Sequence, residues 1–168
     1  PCCGPGAFVI EAALMARPSS RMRAWHFETW PSWSHRDSDV AHEAFDHGFL
    51  LASDRAYAAY DACRAHALKA GVLDAIDLHR KGLEEMNLSI LPAQGLVMAH
   101  PPYGPTQHGD VERKLLARFH GTLAGWRLGV LLPEEYGTPH GDLEPVLRFQ
   151  HGDRPVVLWV GYPSRAAS

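Results

Sequence analysis

The chain has 168 residues, of which 46% are apolar and 21% charged, with a formal net charge of −3. That is enough for one globular domain with a real core, and the acidic balance excludes a protein that grips nucleic acid by bulk charge, so any RNA contact is local or supplied by another domain. No apolar run approaches the roughly 18 residues of a membrane span and no basic stretch precedes a short apolar one, so neither a span nor a signal peptide is expected; three cysteines, two of them adjacent, argue against a disulfide framework and for a reducing, cytoplasmic compartment.

The chain opens on Pro1-Cys2-Cys3-Gly4-Pro5-Gly6, a turn in which Gly4 and Gly6 let the backbone approach a ligand closely, followed by an alanine-rich helix over Val9–Ala16. The fit to the dinucleotide pattern G-x-G-x-x-G fails at Val9, so a purely structural turn is the default reading of the two glycines. Pro18 ends the helix. Trp25, Phe27, Trp30 and Trp33 then crowd an irregular segment that reads as core or an interdomain seat, and a further helix is expected over 39–47. Phe49–Asp54 reads as a strand ending in an acid, and Tyr57–Ala70 as a helix closed by Gly71. An acid at the end of such a strand can accept both hydroxyls of a ribose, and it can also cap the next helix; for Asp54 the two roles are compatible.

A third strand is expected around Ala75–His79, and a fourth, Gly95–Met98, leads into Ala99-His100-Pro101-Pro102-Tyr103-Gly104. Two consecutive prolines cannot donate ladder hydrogen bonds and hold the backbone rigid, so the strand stops there with Tyr103 fixed at the tip. Carbonyls on such a step can accept hydrogen bonds from the exocyclic amine of a base while the aromatic ring stacks on it; a proline turn with a core tyrosine is the alternative. A helix follows over about 110–124, with Val111, Leu115, Leu116 and Phe119 on one face. The basic Arg113, Lys114 and Arg118 belong to a solvated face more readily than to an RNA contact. Gly125–Leu132 is the next strand, and Val146–Gln150 and Val156–Val160 form a hairpin around a five-residue loop. Alternating strands and helices closed by a hairpin describe an α/β sheet. Eleven histidines form no pattern with metal-ligand spacing, so no metal site is expected, and no G-x-S-x-G elbow supports a hydrolase.

Taken in order, the motifs P-x-C-G-x-G, Glu11-Ala12-Ala13, Phe27-Glu28-Thr29-Trp30-Pro31, Ser53-Asp54, Pro101-Pro102-Tyr103-Gly104 and Gly125-Trp126-Arg127 form a set. That ordered set resembles the methyltransferase domain of the ribosomal RNA guanine-N2 methyltransferases, in which a THUMP-type RNA-binding domain usually precedes this part. The resemblance implies a Rossmann-like sheet with helices on both faces and a C-terminal antiparallel hairpin, lacking its first, central strand. It makes residues 1–168 one S-adenosylmethionine-dependent methyltransferase domain, N-terminally truncated. It further implies methylation of guanine N2 in large-subunit ribosomal RNA, with structured RNA as partner through a missing N-terminal RNA-binding domain. A fold-retaining binding module without catalysis is the alternative.

Carried over by position, the resemblance places Cys3, Gly4 and Gly6 in the loop under the cofactor, Asp54 on the adenosine ribose, and Pro101, Pro102 and Tyr103 at the target base. His100 stands where the family usually has asparagine, Gly82 where an acid usually meets the adenine amine, with Glu84 and Glu85 slightly further on, and Pro5 and Ala7 where hydroxyl residues are common. A neutral imidazole has one acceptor nitrogen but lacks the paired donor and acceptor of an amide.

Overall fold

A computed structural model of the chain describes residues 1–16, 48–102, 122–139 and 142–162. The aromatic segment around Trp25–Trp33, the helix expected over 39–47, Tyr103 and most of the helix expected over 110–124 lie outside these residues; at the end of the last, residues 122–125 form a turn.

Helix α1 (Ala7–Met15) begins two residues earlier than its alanine-rich core, because Gly6 at its N-cap has φ 92° and swings the chain into the helix without a side-chain cap. It buries Ile10 and Ala13, three apart and therefore on one face. Strand β1 (Leu50–Ser53) follows, then helix α2 (Tyr57–Lys69), which buries Cys63 and Ala67 at a four-residue spacing. The expected stop at Gly71 is a Schellman turn: Gly71, at φ 69°, donates from its N–H to the Leu68 carbonyl at 3.0 Å, and Val72 donates to Ala67 at 2.9 Å. Val72, fully buried, then packs in the same cluster as Ala67.

Strand β2 (Ile76–His79) lies parallel to β1, with Leu50 opposite Ile76 and Ser53 opposite His79. A second sheet contains β3 (Leu96–Ala99), β4 (Arg127–Pro133), β5 (Leu143–His151) and β6 (Arg154–Gly161) in the order β3-β4-β6-β5. Here β3 and β4 are parallel, whereas β6 runs antiparallel to both its neighbours. The closing hairpin is tighter than the sequence suggests. His151 pairs with Arg154, leaving a two-residue turn at Gly152-Asp153 in place of a five-residue loop. Each strand is longer because ladder pairing overrides the poor strand propensity of residues beside a turn. Pro145 sits on the outer strand, beside a register shift between Pro145 and Leu147, where a missing N–H is tolerated.

The molecule is therefore a partial Rossmann-like α/β domain. Among the described residues its strands form two sheets, β2-β1 and β3-β4-β6-β5, and β1 and β3 border an apolar gap. The two described helices pack on each other and on β1 and β2. Alternation along β1 shows how the layers are built. Leu50 and Ala52 pack with Ile10, Ala13, Ala67 and Ile76 on the helix side, and Leu51 packs with Leu88, Leu123, Trp126 and Leu128 on the other.

Candidate cofactor and target-base site

The glycine turn is held by three contacts from elements distant in sequence. The Cys3 N–H donates to the Ser53 carbonyl at 3.0 Å, the Gly4 N–H donates to Asp54 Oδ2 at 3.1 Å, and His66 Nδ1 lies 3.0 Å from the Pro5 carbonyl. A carbonyl only accepts, so the His66 proton sits on Nδ1. Within the turn the Gly6 N–H donates to the Cys3 carbonyl at 2.9 Å, and Cys2, Gly4 and Gly6 all have positive φ, at 52°, 53° and 92°. Gly6 also lies against α2: a β-carbon there would stand 2.6 Å from Cys63 Sγ and 2.9 Å from Ile10 Cδ1. One at Gly4 would meet nothing within 4 Å, so this part of the turn leaves room beside the backbone.

Asp54 is thus the hub of the turn. Its second oxygen, Oδ1, accepts from the Ala56 N–H at 2.9 Å at the entrance to α2. It supports that helix from just outside, since the N-cap is Ala56, which makes no side-chain cap. Each carboxylate oxygen keeps a further lone pair, so the two backbone bonds do not exhaust it as an acceptor. Cys3 is a protonated thiol: burial first, then the Cys63 thiol and the Asp54 carboxylate, push its pKa up to about 12. A thiol held in that form is no nucleophile near neutral pH.

Across the gap, β3 ends at Ala99, and His100, Pro101 and Pro102 follow, with Pro101 buried. The His100 ring centre lies 5.2 Å from that of His151, at the tip of the hairpin, with the planes tilted by 59°. Burial first, and His151 second, hold the His100 pKa below its ordinary 6.5, so the ring is neutral at neutral pH. The folded pKa being the lower one, the stability linked to it is complete above pH 6.5 and is lost as the pH falls from there through the folded value. The thermal midpoint of the chain is expected to drop on acidification below pH 6.5, and to drop less in His100→Asn. Equal acid sensitivity in the two proteins would remove His100 as the source.

Of the two acids just beyond Gly82, Glu84 lies over it. The Glu84 carboxylate folds back so that its Oε2 is 3.0 Å from where a Gly82 β-carbon would be, and Arg55 Nη1 lies 3.9 Å from Glu84 Oε1. Glu85 Oε2 accepts from the Gly82 N–H at 2.9 Å.

Cys3, Gly4, Gly6 and Asp54 are therefore brought together at the carboxyl end of β1, and His100, Pro101 and Pro102 at the carboxyl end of β3. Sequence reasoning missed three participants. Cys63 and His66 are three apart on α2, a spacing that puts both on the face toward the glycine turn, and this signal was available. His151 had none, because only the fold of the hairpin brings it to His100. Among the described residues no group of three or more His, Cys, Asp or Glu is placed to hold a metal ion, and no helix is long and apolar enough to cross a membrane.

A Rossmann-like α/β arrangement with a glycine turn tied to an acid at the end of β1 is consistent with a methyltransferase domain. The RMKL-like methyltransferase domain model of the UPF0020 family matches residues 1–125, and the chain belongs to that family. It is 31% identical over 151 residues to the ribosomal RNA large subunit methyltransferase K/L of Dichelobacter nodosus, covering 78% of this chain and 20% of that protein. It is 33% identical over 154 residues to the protein of the same name from Marinomonas sp., covering 81% and 21%. The chain thus spans about a fifth of the length of these curated relatives. Among solved structures, SMU.472 complexed with SAH superposes with a TM-score of 0.70 at 22% identity, over 99% of this chain and 48% of that one. A possible methylase from Clostridium difficile gives 0.63 at 19% identity, over 100% and 48%. These likenesses establish the fold.

Proposed function

We propose that this chain is the S-adenosylmethionine-binding part of an RNA methyltransferase that acts on guanine N2 of large-subunit ribosomal RNA. The observation that carries the reading is the hydrogen bond from the Gly4 N–H to Asp54 at 3.1 Å, which makes one unit of the glycine turn and the strand-end acid. The names of the K/L relatives support ribosomal RNA as the substrate class.

S-adenosylmethionine supplies an electrophilic methyl group on a sulfonium. Cys3, Gly4 and Gly6 hold its methionine part along an open stretch of backbone, and Asp54 accepts from the ribose hydroxyls with the lone pairs its backbone bonds leave over. Glu84, lying over Gly82, stands in for the acid that meets the adenine amine. At the other strand end, His100, Pro101, Pro102 and Tyr103 form the target-base step: Tyr103 stacks on the extruded base, and a carbonyl of the step accepts from the amine and polarises it. Neutral His100 has one ring nitrogen that can accept a hydrogen bond from the second amine N–H. Direct displacement requires alignment of donor and acceptor and no covalent enzyme intermediate, in keeping with the protonated state of Cys3. The net charge of −3 leaves the main grip on RNA to a separate RNA-binding domain, and the reducing compartment suggested by the cysteines is the cytoplasm.

Calorimetry with S-adenosylmethionine, followed by mass spectrometry of the nucleosides of undermodified ribosomal RNA after incubation, tests this reading. N2-methylguanosine is the expected product. A methyl group on another atom overturns the guanine-N2 assignment; a silent titration overturns the cofactor, and cofactor binding without turnover favours the binding module. In an active preparation His100→Asn is expected to raise the rate about tenfold, since an amide offers a donor and an acceptor on one short arm.

A further inference from the structure

The carboxyl end of β3 and the tip of the closing hairpin meet, although their strands are not neighbours. Two strands separate β3 from β5 in the sheet, which puts the backbones about 14 Å apart, yet the ring centres of His100 and His151 are 5.2 Å apart. The pleat accounts for part of this. Ala99 packs in the cluster with Trp126, so the next residue, His100, continues on the opposite face. Val157 packs in that cluster too, so Val156, its cross-strand partner Phe149 and, two residues further on, His151 share the face of His100. The length of the hairpin supplies the rest. The ladder between β4 and β6 ends at Pro133 and Val156, and residues 150–155 run past it, so the tip overhangs the end of β4.

The overhang is braced. Directly after β4 the chain makes a single 3-10 turn, Glu134–Tyr136, and its first two residues hold the hairpin: Glu134 Oε1 lies 3.3 Å from Arg148 Nε, and Glu135 Oε1 lies 3.3 Å from Arg154 Nη1. Arg154 is the ladder partner of His151, so the second pair acts on the tip itself. Ion pairs this exposed add little stability, and their consequence is geometric: two of them on one short turn set the direction of the hairpin. An imidazole just past a strand end turns about two side-chain bonds, and only some of its settings aim the acceptor nitrogen at an amine. We infer that His151 is a positioning residue for methyl transfer: its ring, carried on the braced hairpin, fixes the orientation of the His100 ring at the target-base step. It acts through His100, and it makes the C-terminal hairpin part of that site. The inference rests on the reading of His100 as a member of the target-base step.

The test compares the parent with His151→Ala, His151→Phe, Glu135→Gln, His100→Asn and the double variant His151→Ala with His100→Asn. In His151→Ala, kcat for methylation of undermodified ribosomal RNA is expected to fall about fivefold while the Kd for S-adenosylmethionine stays unchanged, because the loss is one of alignment at the far strand end. Phe keeps a ring against His100 and is expected to restore most of the rate; Glu135→Gln loosens the brace and gives a smaller loss in the same direction. In the His100→Asn background, His151→Ala is expected to change nothing, since the ring it positions is gone. The proton–carbon NMR signals of the His100 ring, read on the same proteins, do not depend on turnover. They are expected to shift and broaden in His151→Ala and to return in His151→Phe. Equal rate losses with His100 and with Asn at that position would mean that His151 acts by another route, and unmoved His100 signals in His151→Ala that it holds nothing; either overturns the inference. Absence of N2-methylguanosine from every reaction, with the ring signals moving as expected, counts against the proposed function and in favour of the hold of His151 on His100.

Discussion

Gly6→Ala is expected to cost about 3 kcal/mol of stability and to abolish S-adenosylmethionine binding. The φ of 92° lies in a region that an L side chain occupies only under strain of about 1–2 kcal/mol. The added β-carbon would also stand 2.6 Å from Cys63 Sγ and 2.9 Å from Ile10 Cδ1, so either α1 or α2 must move. Both neighbours are buried, Cys63 completely, which leaves little room for a rotamer change. Gly6 is also the residue whose carbonyl accepts the first helical bond, from Ile10 at 2.9 Å, so any shift travels into α1 and back along the turn to Gly4. Thermal unfolding and calorimetry on the same variant provide the check. A loss below about 1 kcal/mol would mean that the turn relaxes freely and that its left-handed geometry is not what holds it. The double variant Gly6→Ala with Cys63→Ala separates the two sources, because it removes the sulfur contact and leaves the backbone strain.

Asp54→Ala is expected to weaken S-adenosylmethionine binding at least about tenfold, through lost charge-assisted hydrogen bonds, and to cost about 2 kcal/mol of stability. The stability loss follows from the two N–H groups left behind, Gly4 and Ala56, now 3.1 Å and 2.9 Å from an oxygen that is gone. Asp54→Asn divides these effects. Its amide keeps one acceptor for one backbone N–H and turns its NH2 toward the other, so much of the stability loss remains while the charge is removed. If affinity follows stability through both variants, Asp54 acts by shaping the turn; if Asn binds far worse than its stability predicts, the carboxylate touches the ligand. Unchanged affinity in Asp54→Ala removes it from the site.

How the two variants differ reflects which features are written locally. Gly71 and the run Tyr57–Lys69 announce α2 because a helix stop is chemistry within a few residues: a left-handed residue, two carbonyls and one apolar contact. The strand ends before His100 because prolines end ladders wherever they occur. The hairpin tip was misjudged for the opposite reason. Gly152-Asp153 is a turn in either reading, but whether His151 and Arg154 pair across it depends on the registry of two whole strands. The clearance around Gly82 could not be read at all, since the rotamer that folds Glu84 back over it is set by its surroundings in the fold.

The order of motifs along the chain determined the methyltransferase class, the succession of strands and helices, and the identity of the turn and the strand-end acid, because those depend on residue type and short spacing. Tertiary structure alone decided that Asp54 binds the turn it was expected to face, that His66 and Cys63 support that turn from α2, and that His151 meets His100. Such contacts join residues about 50 or more positions apart, and a chain commits to them only when burial of its layers outweighs the entropy of closing the loops between them.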